Sequence, residues 1–199
     1  DKEGKACVQI TTSSSKKRAL QFWSPENPKL YKVEISMAGD TLVDEIGFRT
    51  IEAKGKQILL NGQPIFLKGI SMHEEKPNGG GRANSAEDAR TLLSWAKELG
   101  CNFVRLAHYP HNEYMVREAE RMGIMVWSEI PVYWTIAWKN PDTYKNAERQ
   151  LTDMIARDKN RANVIIWSIA NETPHSAERD AFLGKLAQYA RTQDSTRLI

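Results

Sequence analysis

The sequence predicts an α/β protein: four strand–helix units forming the first half of a (β/α)8 barrel, preceded by the C-terminal strands of a β-sandwich. Three observations carry this prediction. From Ile65 onward, short apolar strands alternate four times with amphipathic helices, the pattern of a parallel sheet covered by helices. One of those strands, Val164–Ile169, is β-branched or aromatic at five of its six positions, as a strand buried on both faces requires. Four such units over residues 65–199 fill about half of the roughly 250 residues that a complete barrel uses. A doubly wound sheet is the rival architecture. It would place a glycine-rich phosphate loop after its first strand, and Gly79-Gly80-Gly81 is neither placed nor spaced like one.

Residues 1–50 are assigned to the sandwich and residues 51–199 to the half-barrel. In the first segment Val8 and Ile10 alternate with polar neighbours, as do Val33, Ile35 and Met37, which suits half-exposed antiparallel strands. Phe22–Pro28 is a proline-punctuated connection, and Gly39-Asp40 is a hairpin turn before Leu42 and Val43. Fewer than fifty residues rarely make a sandwich alone, so these are expected to be its last strands. A hairpin follows, with Ile58-Leu59-Leu60 and Ile65-Phe66-Leu67 flanking Asn61-Gly62, a pair suited to the positive φ angles of a type I′ turn.

The first parallel strand is predicted over about 65–71. Ser85, with Asp88 three residues later, caps a helix whose buried stripe is Ala89, Leu92, Leu93, Ala96 and Leu99, and Gly100 ends it. The second strand runs from Phe103 to His108. The second helix buries Met115, Ala119 and Met122 and stops at Gly123. The third strand is Ile124–Ile130, followed by an aromatic-rich loop and a helix over about 143–158. The fourth helix, about 177–193, buries Phe182, Leu186, Tyr189 and Ala190, and Thr196–Ile199 begins a fifth strand.

Composition sets the outer limits. With 199 residues, 41% of them hydrophobic, the chain is an ordinary globular protein. Its 28 basic and 25 acidic residues are dispersed, and Lys16-Lys17-Arg18 is too short a basic run to argue for nucleic acid. No apolar run approaches the ~18 residues of a membrane span. Cys7 and Cys101 form neither a CxxC pair nor a disulfide framework, which leaves the redox compartment open. Asp1-Lys2-Glu3-Gly4 has no initiator Met and no apolar signal core, so the chain is expected to be a piece of a longer protein.

The C-terminal ends of the four strands gather chemistry. They carry His73 and Glu74, Arg105 to His108, Glu129, and Asn171 with Glu172. In a barrel these ends share one mouth, where active sites are assembled. Glu172 is either a catalytic carboxyl there or a capping acid just before Pro174. His73, His108 and His111 with the acids suggest metal binding, although no His-x-His pair is present. Carbohydrate chemistry fits as well: it needs opposed carboxyls and aromatic faces for sugar rings, and Tyr133, Trp134 and Trp138 supply the latter unless they merely pack the rim.

Two long segments then resemble a known family. Asn102–Pro110 followed by Gly123–Trp127 resembles the first signature of glycoside hydrolase family 2, which contains β-galactosidases, β-glucuronidases and β-mannosidases. Asp158–Arg161 running into Ile166–Glu172 resembles its second signature, which ends on the acid/base. Trp23–Pro28 and Gly47–Thr50 resemble the closing strands of the immunoglobulin-like domain that precedes the family's barrel. Asn61-Gly62 through Gly69, then His73-Glu74, resembles the hairpin entering barrel strand one.

The resemblance implies a retaining exo-β-glycosidase acting on terminal β-linked sugars of the β-galactoside or β-glucuronide type. Glu172 would be the general acid/base, Asn171 would hydrogen-bond the sugar beside the bond being cut, and His73 and His108 would line the same subsite. Tyr133 and Trp134 join the substrate-binding set as the aromatic faces read from the loop itself. Arg105 would hold the nucleophile, a carboxylate from strand seven, beyond Ile199. In the metal-dependent members a Glu and a His soon after strand three help bind magnesium; Tyr133 and Thr135 stand there instead, so neither metal nor cofactor is expected. The expected partner is a carbohydrate substrate, with no nucleic acid and no membrane, and the complete enzyme is expected to be a soluble homo-oligomer of the bacterial periplasm or cytoplasm. Two other functions stay open: a non-catalytic carbohydrate-binding or scaffold barrel, and a metal-dependent barrel hydrolase using His73 and His108.

Overall fold

The computed structural model describes residues 19–77 and 79–199. Val8, Ile10, Cys7 and the Lys16–Arg18 run lie outside the described residues. Two strands, β1 (Tyr31–Met37) and β2 (Asp40–Ile46), pair as an antiparallel hairpin, and they fit the immunoglobulin-like sandwich. Its turn is Ala38-Gly39 rather than the expected Gly39-Asp40. The register pairs Met37 with Asp40, and the two residues between them carry the positive φ angles, 50° and 95°.

Strands β3 (Ile51–Lys54), β4 (Gln57–Leu60) and β5 (Gln63–Ile65) form a three-stranded antiparallel sheet. Asn61 and Gly62 join the last two at φ 52° and 77°, the predicted type I′ turn. The first parallel strand, β6, spans Gly69–Met72 and starts later than the predicted 65–71. Ile65 is used by the hairpin, where it faces Ile58, and Phe66 beyond it is solvent-exposed. Gly69 runs close against the neighbouring strand. A Cβ there would lie 2.4 Å from the carbonyl oxygen of Phe103.

The main sheet is β6, β7 (Phe103–Leu106), β8 (Met125–Glu129) and β9 (Val164–Ser168), in that order and all parallel. Helices α1 (Ala86–Glu98), α2 (Glu113–Arg121), α3 (Pro141–Asp158) and α4 (Ala177–Gln193) alternate with the strands. This is the first half of a (β/α)8 barrel. Each helix starts on a side-chain cap: Ser85, Asn112, Asn140 and Ser176 accept from the amides of Asp88, Tyr114, Asp142 and Arg179. The stripe of α1 is Ala89, Leu93 and Ala96; Leu99, expected in it, is 71% exposed, because the helix closes at Glu98 and leaves Leu99 as the C-cap residue. At the chain's end Leu198 pairs in parallel with Ile166, with Leu198 N–H donating to Ile165 O at 3.0 Å, the predicted start of a fifth strand.

The sandwich hairpin and its connections seat on the N-terminal ends of the parallel strands. Arg49 donates to the carbonyls of Ala162, Val164 and Thr196 at 2.6–2.9 Å. Fully buried Trp23 donates its indole N–H to Glu120 O at 3.0 Å, and Arg117 and Arg161 both pair with Asp44. A second apolar cluster packs Ile51, Leu60 and Ile65 of the small sheet with Trp23, Met125 and Ile165, closing that end. The opposite, C-terminal strand ends are left to the site.

Candidate functional site

The site is built around Glu129, the last residue of β8, whose carboxylate is fully buried. Parallel register sets its surroundings: Arg105 lies beside Trp127 and Glu129 beside Ser168. Arg105 grips both oxygens of Glu129 in a forked pair, Nη2 donating at 2.8 and 3.0 Å and Nε at 3.1 Å. Ser168 Oγ and Trp127 Nε1 donate to the same carboxylate at 2.7 and 3.2 Å. The Arg105 guanidinium also lies over the Trp127 ring, 5.1 Å from its centroid. A buried carboxylate with this many donors is satisfied rather than reactive.

His108 lies 2.8 Å from Glu129 Oε1 through Nδ1 and 3.3 Å from Arg105 Nη2. The guanidinium has only donors, so the shorter, carboxylate contact decides the tautomer: Nδ1 carries the proton and donates it to Glu129. Nε2 of His108 has no protein partner among the described residues. Arg105 Nη2 also donates to Asn171 Oδ1, which ties the tip of β9 into the same network. Asn171 is 8% exposed, and its Nδ2 has no partner among the described residues.

Around this anchor the candidate residues form one continuous line. The rings of His73 and His108 meet edge-on at 5.5 Å, His108 stacks on Tyr133 at 5.7 Å, and Tyr133 touches Trp134 at 6.0 Å. Trp134 Nε1 donates to Glu172 Oε2 at 3.2 Å. Tyr133 and Trp134 are 46% and 55% exposed, and Glu172 is exposed as well. Backbone bonds hold the loop to the strand tip: Asn171 N donates to Val132 O at 2.8 Å and Trp134 N to Asn171 O at 3.2 Å. The structure thus brings Glu172, Asn171, His73, His108, Tyr133, Trp134 and Arg105 to one face at the C-terminal strand ends.

Glu74 of the strand-end set and His111 of the metal-binding alternative do not join it. Glu74 is buried, accepting from Arg82 Nε at 3.2 Å and from the amide of Asn112, so it clamps the loop after β6 to the start of α2. His111 is fully buried behind Tyr109, stacked on it at 5.1 Å, with Nε2 donating to Ala107 O at 2.8 Å. Burial pushes its pKa down to about 4, which keeps the ring neutral, and a three-histidine metal site is not assembled. Sequence reasoning missed Ser168 and Trp127 as partners of Glu129. The signal lay in β9, where Ser168 is a polar residue inside an apolar run.

The profile described as "Glycosyl hydrolases family 2, TIM barrel domain" matches residues 51–199, and the one described as "Glycosyl hydrolases family 2" matches residues 2–49. A β-galactosidase of Thermoanaerobacterium thermosulfurigenes is 32% identical over 89% of this chain and 25% of its own length. A putative β-glucuronidase of Formosa agariphila is 33% identical over 76% of this chain and 19% of its own. Among solved structures, β-glucuronidase 3 of Bacteroides uniformis superposes with a TM-score of 0.77 at 35% identity, covering 89% of this chain and 24% of that one. A family 2 β-galacturonidase of Eisenbergiella tayi, bound to galacturonate, superposes with a TM-score of 0.82 at 30% identity, covering 89% and 32%. The chain therefore spans roughly a fifth to a third of these relatives.

Proposed function

The chain belongs to glycoside hydrolase family 2, and on that basis we propose that it carries the acid/base half of the active site of a retaining exo-β-glycosidase. The observation that carries this reading is Glu172 at the tip of β9, open to solvent, directly after an asparagine fixed to Arg105. In a retaining mechanism one carboxyl protonates the leaving oxygen and later deprotonates water, while a second forms the covalent glycosyl intermediate. Glu172 takes the first role. The second falls to a carboxylate on a later strand of the barrel, and Arg105 is suited to hold it. Its Nε and Nη2 are committed to Glu129 and Asn171, while Nη1 has no partner among the described residues.

The sugar subsite beside the scissile bond is assigned to Asn171, His73 and His108, with Tyr133 and Trp134 as the aromatic side. With Nδ1 directed at Glu129, Nε2 of His108 is left to hydrogen-bond a sugar hydroxyl. The substrate is a terminal β-galactoside or β-glucuronide, since relatives of both kinds match the chain. No metal is assigned, because Tyr133 and Thr135 supply neither the carboxylate nor the imidazole of the metal-dependent pattern. No helix among the described residues is long and apolar enough to cross a membrane.

The test uses the complete enzyme of which this chain is part, in excess chelator, with aryl β-galactosides and aryl β-glucuronides. Proton NMR should show the β anomer of the free sugar forming first and mutarotating afterwards. An α anomer as first product would mean inversion, and activity abolished by the chelator and restored by magnesium would refute the metal-free site.

A further inference from the structure

Two non-glycine residues at the mouth are held in the left-handed region of backbone space, Trp134 at φ 55° and Glu172 at φ 50°. A bulky residue there is strained and persists only where its surroundings hold it. The surroundings are visible: Tyr133 and Asn171 form a parallel bridge, and Trp134 N donates to Asn171 O. The loop after β8 and the tip of β9 are thus locked together immediately before each strained residue. The lock brings the indole N–H of Trp134 to Glu172 Oε2 at 3.2 Å.

We propose that Trp134 is a positioning residue for the acid/base, beyond any service as a face for sugar rings. The proposal rests on the reading of Glu172 as acid/base. An indole N–H can only donate. Its partner Oε2 is therefore the oxygen that stays unprotonated, and the working proton belongs to Oε1. In the first step the second carboxylate bonds the anomeric carbon, and the bond from that carbon to the glycosidic oxygen breaks with its electron pair leaving on the oxygen. In the same step the proton passes from Oε1 to that oxygen. In the second step Oε1 takes a proton from the water that attacks the anomeric carbon and displaces the nucleophile. Trp134 remains a donor to Oε2 throughout, so Glu172 does not rotate between steps. In water an exposed bond of this kind contributes little; under a bound substrate, with water excluded, it strengthens.

The experiment replaces Trp134 in the complete enzyme with Phe, which keeps an aromatic face and loses the N–H. A second replacement uses benzothienylalanine, which keeps the shape and puts sulfur where the N–H was. Both are assayed on aryl β-glycosides of graded leaving-group acidity beside Glu172→Gln. The expected result is a fall in kcat/KM of ~10-fold on poor leaving groups, little change on dinitrophenol, and nearly constant KM, in both replacements. Unchanged rates, or equal losses on all leaving groups with raised KM, would show that Trp134 is only a sugar platform or a packing residue. Should Trp134→Phe fail to fold, the isosteric replacement decides alone. Glu172→Gln separates the two claims. If its losses ignore the leaving group, the acid/base reading fails; if they follow it while both Trp134 replacements do not, only the positioning role fails.

Discussion

Glu129 concentrates the residue-scale logic of the mouth. Both oxygens accept from Arg105, one also accepts from His108, and the other also from Ser168 and Trp127. Glutamine in its place would keep one accepting oxygen and turn an NH2 group toward at least one of those donors. Leaving a charged partner uncompensated costs ~3–5 kcal/mol where fully buried pairs have been broken, and less for the half-buried Arg105. We expect Glu129→Gln in the complete enzyme to lower Tm and to lose ~10²-fold in kcat/KM, because Arg105 and His108 would both be released. A kcat/KM unchanged beside a lowered Tm would make Glu129 a purely structural acid. The strand-tip residues themselves were legible in the sequence, since ionisable groups ending apolar strands need a mouth to face. Their pairing was not. Nothing in the one-dimensional pattern says that Glu129, and no acid elsewhere, would face Arg105; that follows from the register of β7, β8 and β9.

At the scale of elements, periodicity and caps located the four parallel strands and four helices, and the Asn61-Gly62 turn followed from its φ requirement alone. The start of β6 was obscured because Ile65-Phe66-Leu67 satisfies a hairpin and a buried strand equally well. The two helix-ending glycines illustrate what sequence cannot separate. Gly100 and Gly123 both sit at positive φ, 79° and 70°, after α1 and α2. A Cβ on Gly100 would meet nothing within 4 Å, whereas one on Gly123 would lie 2.3 Å from the carbonyl oxygen of Pro25. Gly100→Ala should therefore cost only the ~1 kcal/mol of a left-handed alanine. Gly123→Ala must also push the connection carrying Trp23 away from the barrel, and should cost at least twice as much. Melting curves of both variants at one scan rate check this, and equal shifts would mean that the Pro25 contact yields freely.

The whole molecule divides its labour between two ends of one parallel sheet. The N-terminal ends are closed by the small antiparallel sheet, by Trp23 and by arginines that donate to strand carbonyls. That packing holds the frame, and so the C-terminal ends can carry polar side chains at strained angles. The sheet is four strands of an eight-stranded closure, so Glu172 stands at the rim of half a mouth. We expect this exposed carboxyl to act as the acid/base, a claim that Glu172→Ala in the complete enzyme can overturn. An aryl substrate whose leaving group is already a stable anion needs little protonation, so its first step should stay fast. Hydrolysis of the glycosyl intermediate should then limit the rate, giving a burst of phenol, slow turnover and a low apparent KM. Alkyl or sugar leaving groups should fall by ~10²–10⁴-fold. Azide, which needs no deprotonation, should restore turnover of the activated substrate and yield a β-glycosyl azide. Equal losses on both substrate types, with no rescue by azide, would contradict the claim and return Glu172 to a nucleophilic or structural role.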